Sequence, residues 1–301
     1  MVPGRCGRGH LEGRAGTMSK AERTRTRNTR QKIEAQRAAA RRAETRRRFL
    51  IAGSSVAVVV ALVATLVAVK LTSAPAAPAG RESAAAAGVV RQVTTVPAAV
   101  LARASGGPAV TALQPVRTPG PVLTISGKPA IVFVSEESCP FCAAERWPLA
   151  VALAHFGTWS HLGTTRSSST DVYPGTATLS FRAATYRSAQ LTLRTTELAD
   201  SAGRPLQPAT ALDTRLIRAY DVPPYVNSAS QSGSVPFLDI GNRDILAGAQ
   251  YDPQVLAGLS AAQIAAQLRD PSSPVAKAID GAARIIIAAI NDLLHNPAAH
   301  S

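Results

Sequence analysis

The sequence predicts an α/β domain carried behind a single transmembrane helix. Three observations predict it. An uncharged run of 21 residues, 49–69, separates a basic N-terminal tail from everything that follows. Beyond it, short runs that alternate apolar and polar residues are interspersed with stretches of helical periodicity. Where one strand-like run, Lys128-Pro129-Ala130-Ile131-Val132-Phe133-Val134-Ser135, gives way to a helix-like run at 143–156, the chain places Cys139-Pro140-Phe141-Cys142.

The 301 residues carry a formal net charge of +14, unevenly spread. Residues 1–48 hold 15 of the 33 Lys and Arg and 4 of the 19 Asp and Glu, a balance of +11 that leaves +3 for the rest. The basic character therefore belongs to a tail, which argues against a nucleic-acid reader in the globular part. From residue 20 to 48, Arg and Glu alternate among good helix formers. This fits a solvated charge run that sets topology; a helix on anionic lipid or nucleic acid is the other reading. Met18 opens an alternative start, which would remove the Gly- and Arg-rich residues 1–17 and Cys6 with them.

At about 1.5 Å per residue, residues 49–69 span roughly 31 Å, matching a bilayer's hydrocarbon core. Arg46, Arg47 and Arg48 abut the N-terminal end and Lys70 the other. The positive-inside rule then leaves residues 1–48 in the cytoplasm and 71–301 outside a cell membrane crossed once. A cleaved signal peptide competes, with residues 72–76 as its cleavage region, but the apolar run is long for that role and so is the leader before it.

Residues 70–88, rich in Ala, Pro, Ser and Gly, read as a semi-flexible tether. The globular domain is expected over 89–295. A short helix opens at 95–101 with proline in its first turn. Residues 104–121 form a punctuated loop and 122–125 a short strand; Ser126-Gly127 turns into the central strand at 131–135. In the helix after the cysteines, Leu149, Leu153 and Phe156 share the face expected against the sheet, and Pro148 should kink it. Residues 157–175 read as loop. Two strands alternate in period two at 176–182 and 190–196, and a helix covers 210–220, ended by Asp221 to Tyr225. Val235-Pro236-Phe237-Leu238-Asp239-Ile240 is the next strand, Gly241-Asn242 a tight hairpin turn, and Ile245-Leu246 the start of the return. Asp252-Pro253 caps one helix and Ser260 with Gln263 boxes another. Ser273-Pro274 opens a last helix to about residue 295, with Val275, Ile279, Ile286 and Ile290 on its apolar side. Residues 296–301 fray.

Cys6, Cys139 and Cys142 are the only cysteines, too few for a disulfide scaffold or an all-Cys zinc site. Two thiols at C-x-x-C spacing, where a strand hands over to a helix, suit disulfide exchange. The helix start offers unpaired N–H groups and a partial positive charge, and both favour the thiolate that exchange needs. Two other readings of the pair stay open. One is an inert disulfide, which would close only a tiny loop. The other is half of a zinc site, which would need His155 or His161 to converge on it. Trp147 could line a groove or simply pack. No phosphate loop, dinucleotide fingerprint, nucleophile elbow or metalloprotease motif is present.

Val235-Pro236-Phe237 resembles the cis-proline loop that faces the active-site cysteines of thioredoxin-like proteins, and the Pro-Phe dipeptide is similar to those of glutaredoxin and DsbA-type members. In more detail the chain resembles the membrane-anchored family catalogued as domain of unknown function 929. The residues that carry this are 135–147, Phe156-Gly157 and 235–242. The resemblance implies a thioredoxin-like α/β domain with an insertion, in which Cys139 attacks, Cys142 resolves and Pro236 shapes the substrate groove. It departs from thioredoxin in three ways. The interval from Cys142 to Pro148 is one residue longer, no clear acidic residue lies beneath the second cysteine (Glu136 and Glu137 are the nearest candidates), and residues 157–234 have no place on the minimal fold. The expectation is a membrane-anchored thiol–disulfide oxidoreductase without metal or organic cofactor, acting on extracytoplasmic protein thiols or disulfides. The alternative is a non-catalytic binding module of the same fold. Redox direction, substrate, recycling partner and oligomeric state are not written in the sequence.

Overall fold

One strand organises the domain. The computed structural model describes residues 79–104 and 110–295, with side chains from residue 86 onward, and these belong to one compact unit spanning Ala77–Ser301. The expected membrane helix at 49–69, the tail at 1–48 and the frayed end at 296–301 lie outside the described residues. Among the described residues no helix is long and apolar enough to cross a membrane.

The organising strand is β3 (Lys128–Ser135), whose last six residues are all buried. A short β2 (Thr124–Ile125) turns into it through Ser126 and Gly127, both at positive φ, and pairs with its first two residues. The opposite edge of β3, away from β2, pairs in parallel with β8 (Thr192–Glu197). On the other edge lie β9 (Phe237–Ile240), then β10 (Asp244–Ala247), then the two-residue β1 (Gln114–Pro115), each antiparallel to its neighbour. A strand buried on both faces needs apolar residues throughout, which is why Ala130 to Val134 is uninterrupted.

Alternation sorts these side chains into two cores. Ile131, Phe133, Leu238, Ile240 and Leu246 face the larger one, and Val132, Val134, Phe237 and Ile245 the smaller. Over the larger core pack α3 (Pro140–Leu153) and α6 (Pro274–His295), joined by α1 (Ala79–Thr94), α2 (Ala98–Arg103) and α5 (Ala261–Gln267). Leu216 of α4 (Ala211–Tyr220) closes the smaller core. Each large apolar side chain buried this way contributes roughly 1.5–3 kcal/mol.

Local signals set the element ends. Thr210 and Asp213 make a capping box at the start of α4, and Ser260 and Gln263 make the expected one on α5. Ser273 accepts the Ala276 N–H at 3.0 Å at the head of α6. Gly241 (φ 65°) and Asn242 (φ 59°) form the β9–β10 turn. A side chain at Gly241 would run into Leu293 of α6, so the turn also needs glycine for the helix to dock.

The structure differs from the sequence reading in several places. Residues 79–88, expected within a tether, are helical as part of α1. Helix α3 begins at Pro140 rather than 143, because Cys139 is its N-cap and proline is favoured at the first helical position. It runs through Pro148 as one element and ends at Leu153, leaving Phe156 in the following turn. The expected loop at 157–175 contains β4 (Thr158–Ser160) and β5 (Gly163–Arg166). These pair with β7 (Thr185–Arg187) and β6 (Ala177–Ser180) respectively. Their shortness hid them, since three or four residues show little alternation and pairing partners hold such strands. The two strands expected at 176–182 and 190–196 are present as β6 and β8 but belong to different sheets. Asp252-Pro253 opens a single 3-10 turn, Pro253–Leu256, with Asp252 accepting the Gln254 N–H at 2.9 Å. Residues 157–234 are not wholly an insertion: β8 belongs to the main sheet and α4 covers it.

Candidate functional site

Strand β3 ends at Ser135, and the three residues 136–138 deliver Cys139 to the head of α3. Pro140 takes the first helical position, where the missing N–H costs nothing. Cys139 is the N-cap, and its sulfur accepts the Cys142 N–H at 3.2 Å. The thiol is partly exposed. Cys142, one turn into the helix, is fully buried, and its sulfur accepts the Glu136 N–H at 3.5 Å. Both are free thiols.

The partner loop arrives from 96 residues downstream. The Val235–Pro236 peptide is cis, and the Val235 carbonyl accepts from the Cys139 sulfur at 3.7 Å. The structure thus brings Cys139, Cys142 and the Val235–Pro236 loop together at the carboxyl ends of β3 and the start of β9.

The two thiols are electrostatically unequal. The hydrogen bond from Cys142 holds Cys139 below the ordinary thiol range against the opposing effect of burial. The N–H groups of Cys142 and Phe141 and the charge of Arg146 add to the lowering. Burial pushes Cys142 well above that range, and its bond to Cys139 and the charge there push it further. Of the two, Cys139 gives up its proton the more readily and Cys142 holds its own.

Two residues near the pair, Arg146 and Glu197, were not singled out from the sequence. Arg146 is fully buried one turn beyond Cys142. Its Nε donates to Glu197 Oε1 at 2.9 Å, and its Nη2 to Glu197 Oε2 at 2.6 Å and Ser135 Oγ at 3.3 Å. Its charge lowers both thiols. Two adjacent charged residues, Glu145 and Arg146, inside an apolar helical run were the visible signal; the Arg146 partner, 51 residues away on β8, was not. Of the acidic candidates, Glu137 is buried and accepts from Ser180 Oγ at 2.6 Å, while Glu136 accepts from Ser138 Oγ at 3.1 Å. Both carboxylates of the loop before Cys139 thus have a hydroxyl partner, one within the loop and one on β6.

The hairpin region 158–187 braces this loop. Ser168 N–H donates to the Ser138 carbonyl at 2.8 Å, Thr178 Oγ1 to the Ala143 carbonyl at 2.7 Å, and Trp147 Nε1 to the Ala177 carbonyl at 3.1 Å. Trp147 is fully buried and packs rather than lining a groove. Phe141 stays exposed and meets Tyr173 edge-on at 5.8 Å. His155 and His161 are both exposed, and among the described residues no three or more His, Cys, Asp or Glu are grouped to hold a metal ion.

Beside Cys139 opens a cleft of about 550 Å³ whose walls include Phe141, Asp221, Tyr225, Gln231, Val235 and Ala249. Phe141 is two residues from Cys139, and Val235 is the residue whose carbonyl meets its sulfur. Asp221 is the C-cap of α4, buried, with neither carboxylate oxygen hydrogen-bonded. Burial raises it to about 6, and the backbone N–H groups of Gly233 and Ser234 pull it back.

Comparison with known proteins finds one family. The family model described as Domain of unknown function (DUF929) matches residues 115–292. No curated protein and no solved structure matches the chain.

Proposed function

The chain belongs to this family, whose description assigns no activity, and we propose that it is a thioredoxin-like thiol–disulfide oxidoreductase held outside the cell by a single membrane helix at 49–69. One observation carries the reading: a partly exposed Cys139 with lowered pKa caps a helix 3.2 Å from the N–H of a buried partner cysteine. That geometry suits reversible exchange. The Cys139 thiolate attacks a substrate disulfide, a new S–S bond joins Cys139 to one substrate sulfur, and the other substrate sulfur leaves as a thiolate. Cys142 gives up its proton and attacks Cys139. The mixed S–S bond breaks, the substrate leaves as its second thiolate, and the protein keeps the Cys139–Cys142 disulfide. Two electrons have passed from protein to substrate. Run backwards, the same steps oxidise a substrate dithiol, and a separate dithiol or disulfide partner resets the pair.

The crossover β3–α3–β8 beside the C-x-x-C pair supports the thioredoxin-like reading. So does the hairpin β9–β10 that follows a cis-proline loop facing the cysteines. An extracytoplasmic setting suits it, since disulfides persist there.

The test is a trap. In the full-length protein, Cys142→Ser removes the resolving thiol, so a mixed disulfide on Cys139 should accumulate with envelope proteins and vanish on reduction. A Cys142→Ser protein that captures nothing, with Cys139 unreactive toward small disulfides, would leave the non-catalytic binding module as the reading.

A further inference from the structure

The cleft beside Cys139 carries an unusual carboxylate. Asp221 is fully buried in its wall, and both its oxygens lack a hydrogen-bond partner. A buried carboxylate is normally paired, because desolvating the charge is costly. Asp221 is also the C-cap of α4, the end of a helix where negative charge is least favourable. Nothing local to its own helix accounts for a carboxylate there.

Its surroundings suit a cation. Among the described residues, Asp221 is the one charged side chain in the lining of the cleft. The rest are apolar groups, small hydroxyls, the amides of Gln114, Asn227 and Gln231, and the rings of Phe141 and Tyr225. Aromatic faces and neutral amide oxygens attract a cation, and none of these groups supplies a competing positive charge. The volume of about 550 Å³ exceeds what one side chain fills, so a short stretch of polypeptide fits. Val235 belongs both to this wall and to the contact with the Cys139 sulfur, so a substrate cysteine at Cys139 places its neighbours at the cleft.

We infer that Asp221 is a specificity residue: the cleft receives a Lys or Arg side chain adjacent to the reactive cysteine of the substrate polypeptide, pairing its charge with the buried carboxylate. The inference rests on the exchange reading and adds the substrate class.

Full-length reduced protein in detergent is mixed with three short peptides that differ at one residue, Lys, Gln or Glu, beside a cysteine carried as a disulfide with thionitrobenzoate. Attack by the Cys139 thiolate on the peptide sulfur forms the Cys139–peptide S–S bond and expels thionitrobenzoate thiolate, whose absorbance gives the rate. The Lys peptide should react about tenfold faster than the Glu peptide, with Gln between them. Asp221→Asn should bring the Lys-to-Glu ratio within about twofold. Ala249→Lys, on a partly exposed wall of the cleft, should do the same by supplying the cation from within, and it carries the test where Asp221→Asn does not fold. Equal rates with all three peptides in the unaltered protein, or a ratio that survives both substitutions, would overturn the specificity role while leaving exchange intact. No release from any peptide would remove the exchange reading and this inference with it.

Discussion

Arg146 stands one turn beyond Cys142 on the same face of α3, fully buried, with its guanidinium clamped by Glu197 of β8 through two hydrogen bonds of 2.9 and 2.6 Å. Its charge lowers both thiols while burial pushes Cys142 the other way. A positive charge locked beneath the pair favours the dithiol form, whose thiolate it stabilises, over the uncharged disulfide.

Removing that charge should therefore raise the Cys139 pKa and make the disulfide harder to reduce. Arg146→Met alone strands the Glu197 carboxylate and should cost about 3–5 kcal/mol of stability. The double variant Arg146→Met, Glu197→Met restores apolar packing and should recover most of that loss. Denaturant melts read the stability, and equilibration with a glutathione buffer reads the potential. A double variant with unchanged thiol titration would mean that Arg146 serves the fold alone.

The thiol pair itself should titrate in two separate steps. Alkylation of the reduced protein should proceed on Cys139 below the ordinary free-thiol range near 8.5, while Cys142 stays protected. The sign of the linkage follows. Cys139, lowered in the fold, adds stability that is present above its unfolded pKa and lost as pH falls through its folded value. Cys142, raised in the fold, works in the opposite sense at higher pH. Mass spectrometry of the alkylated sites over a pH series checks this; equal labelling of both cysteines contradicts it.

Other buried acidic groups give a second pH effect. Burial raises Glu145 to about 8, Asp280 to about 7 and Asp239 to about 7. The folded state holds protons that the unfolded chain has released, so stability falls as pH rises from about 4.5 toward 8. Asp200 and Asp270 are shifted down instead, so their contribution is lost only in more acid solution. Thermal melts should show the protein more stable near pH 5 than near pH 8. Glu145→Gln should flatten the dependence, and a curve as steep as before would discount Glu145 as its source.

Phe141 is exposed within the motif and touches Tyr173 of the bracing segment. Phe141→Ala should change folding stability by about 0.5 kcal/mol or less, as exposed positions do. It should slow mixed-disulfide formation with polypeptide substrates several-fold while leaving reaction with a small disulfide near its original rate, since the aromatic surface serves docking. Equal slowing of both would point to a disturbed helix start.

What could be read from the chain directly was local. Cys139 sits as N-cap because proline follows it at the first helical position, and its thiol reaches the Cys142 N–H three residues on. Gly241-Asn242 turns because its backbone lies at positive φ, and Ser260 with Gln263 caps within one turn. Each depends on neighbours within four residues, so the residue types alone carry the information. The short strands β4 and β5 were invisible because three or four residues show too little alternation to be read, and pairing with β7 and β6 holds them.

The sequence alone determined the strand, the C-x-x-C link, the helix that follows and the proline loop, because backbone preference and apolar periodicity act over a few residues. Tertiary structure alone decided which groups surround the sulfurs: the Val235 carbonyl at 3.7 Å, the Arg146–Glu197 clamp, the hairpins bracing Ser138, and Asp221 in the neighbouring cleft. Charge and hydrogen bonding act through space, and only chain folding sets the distances over which they act.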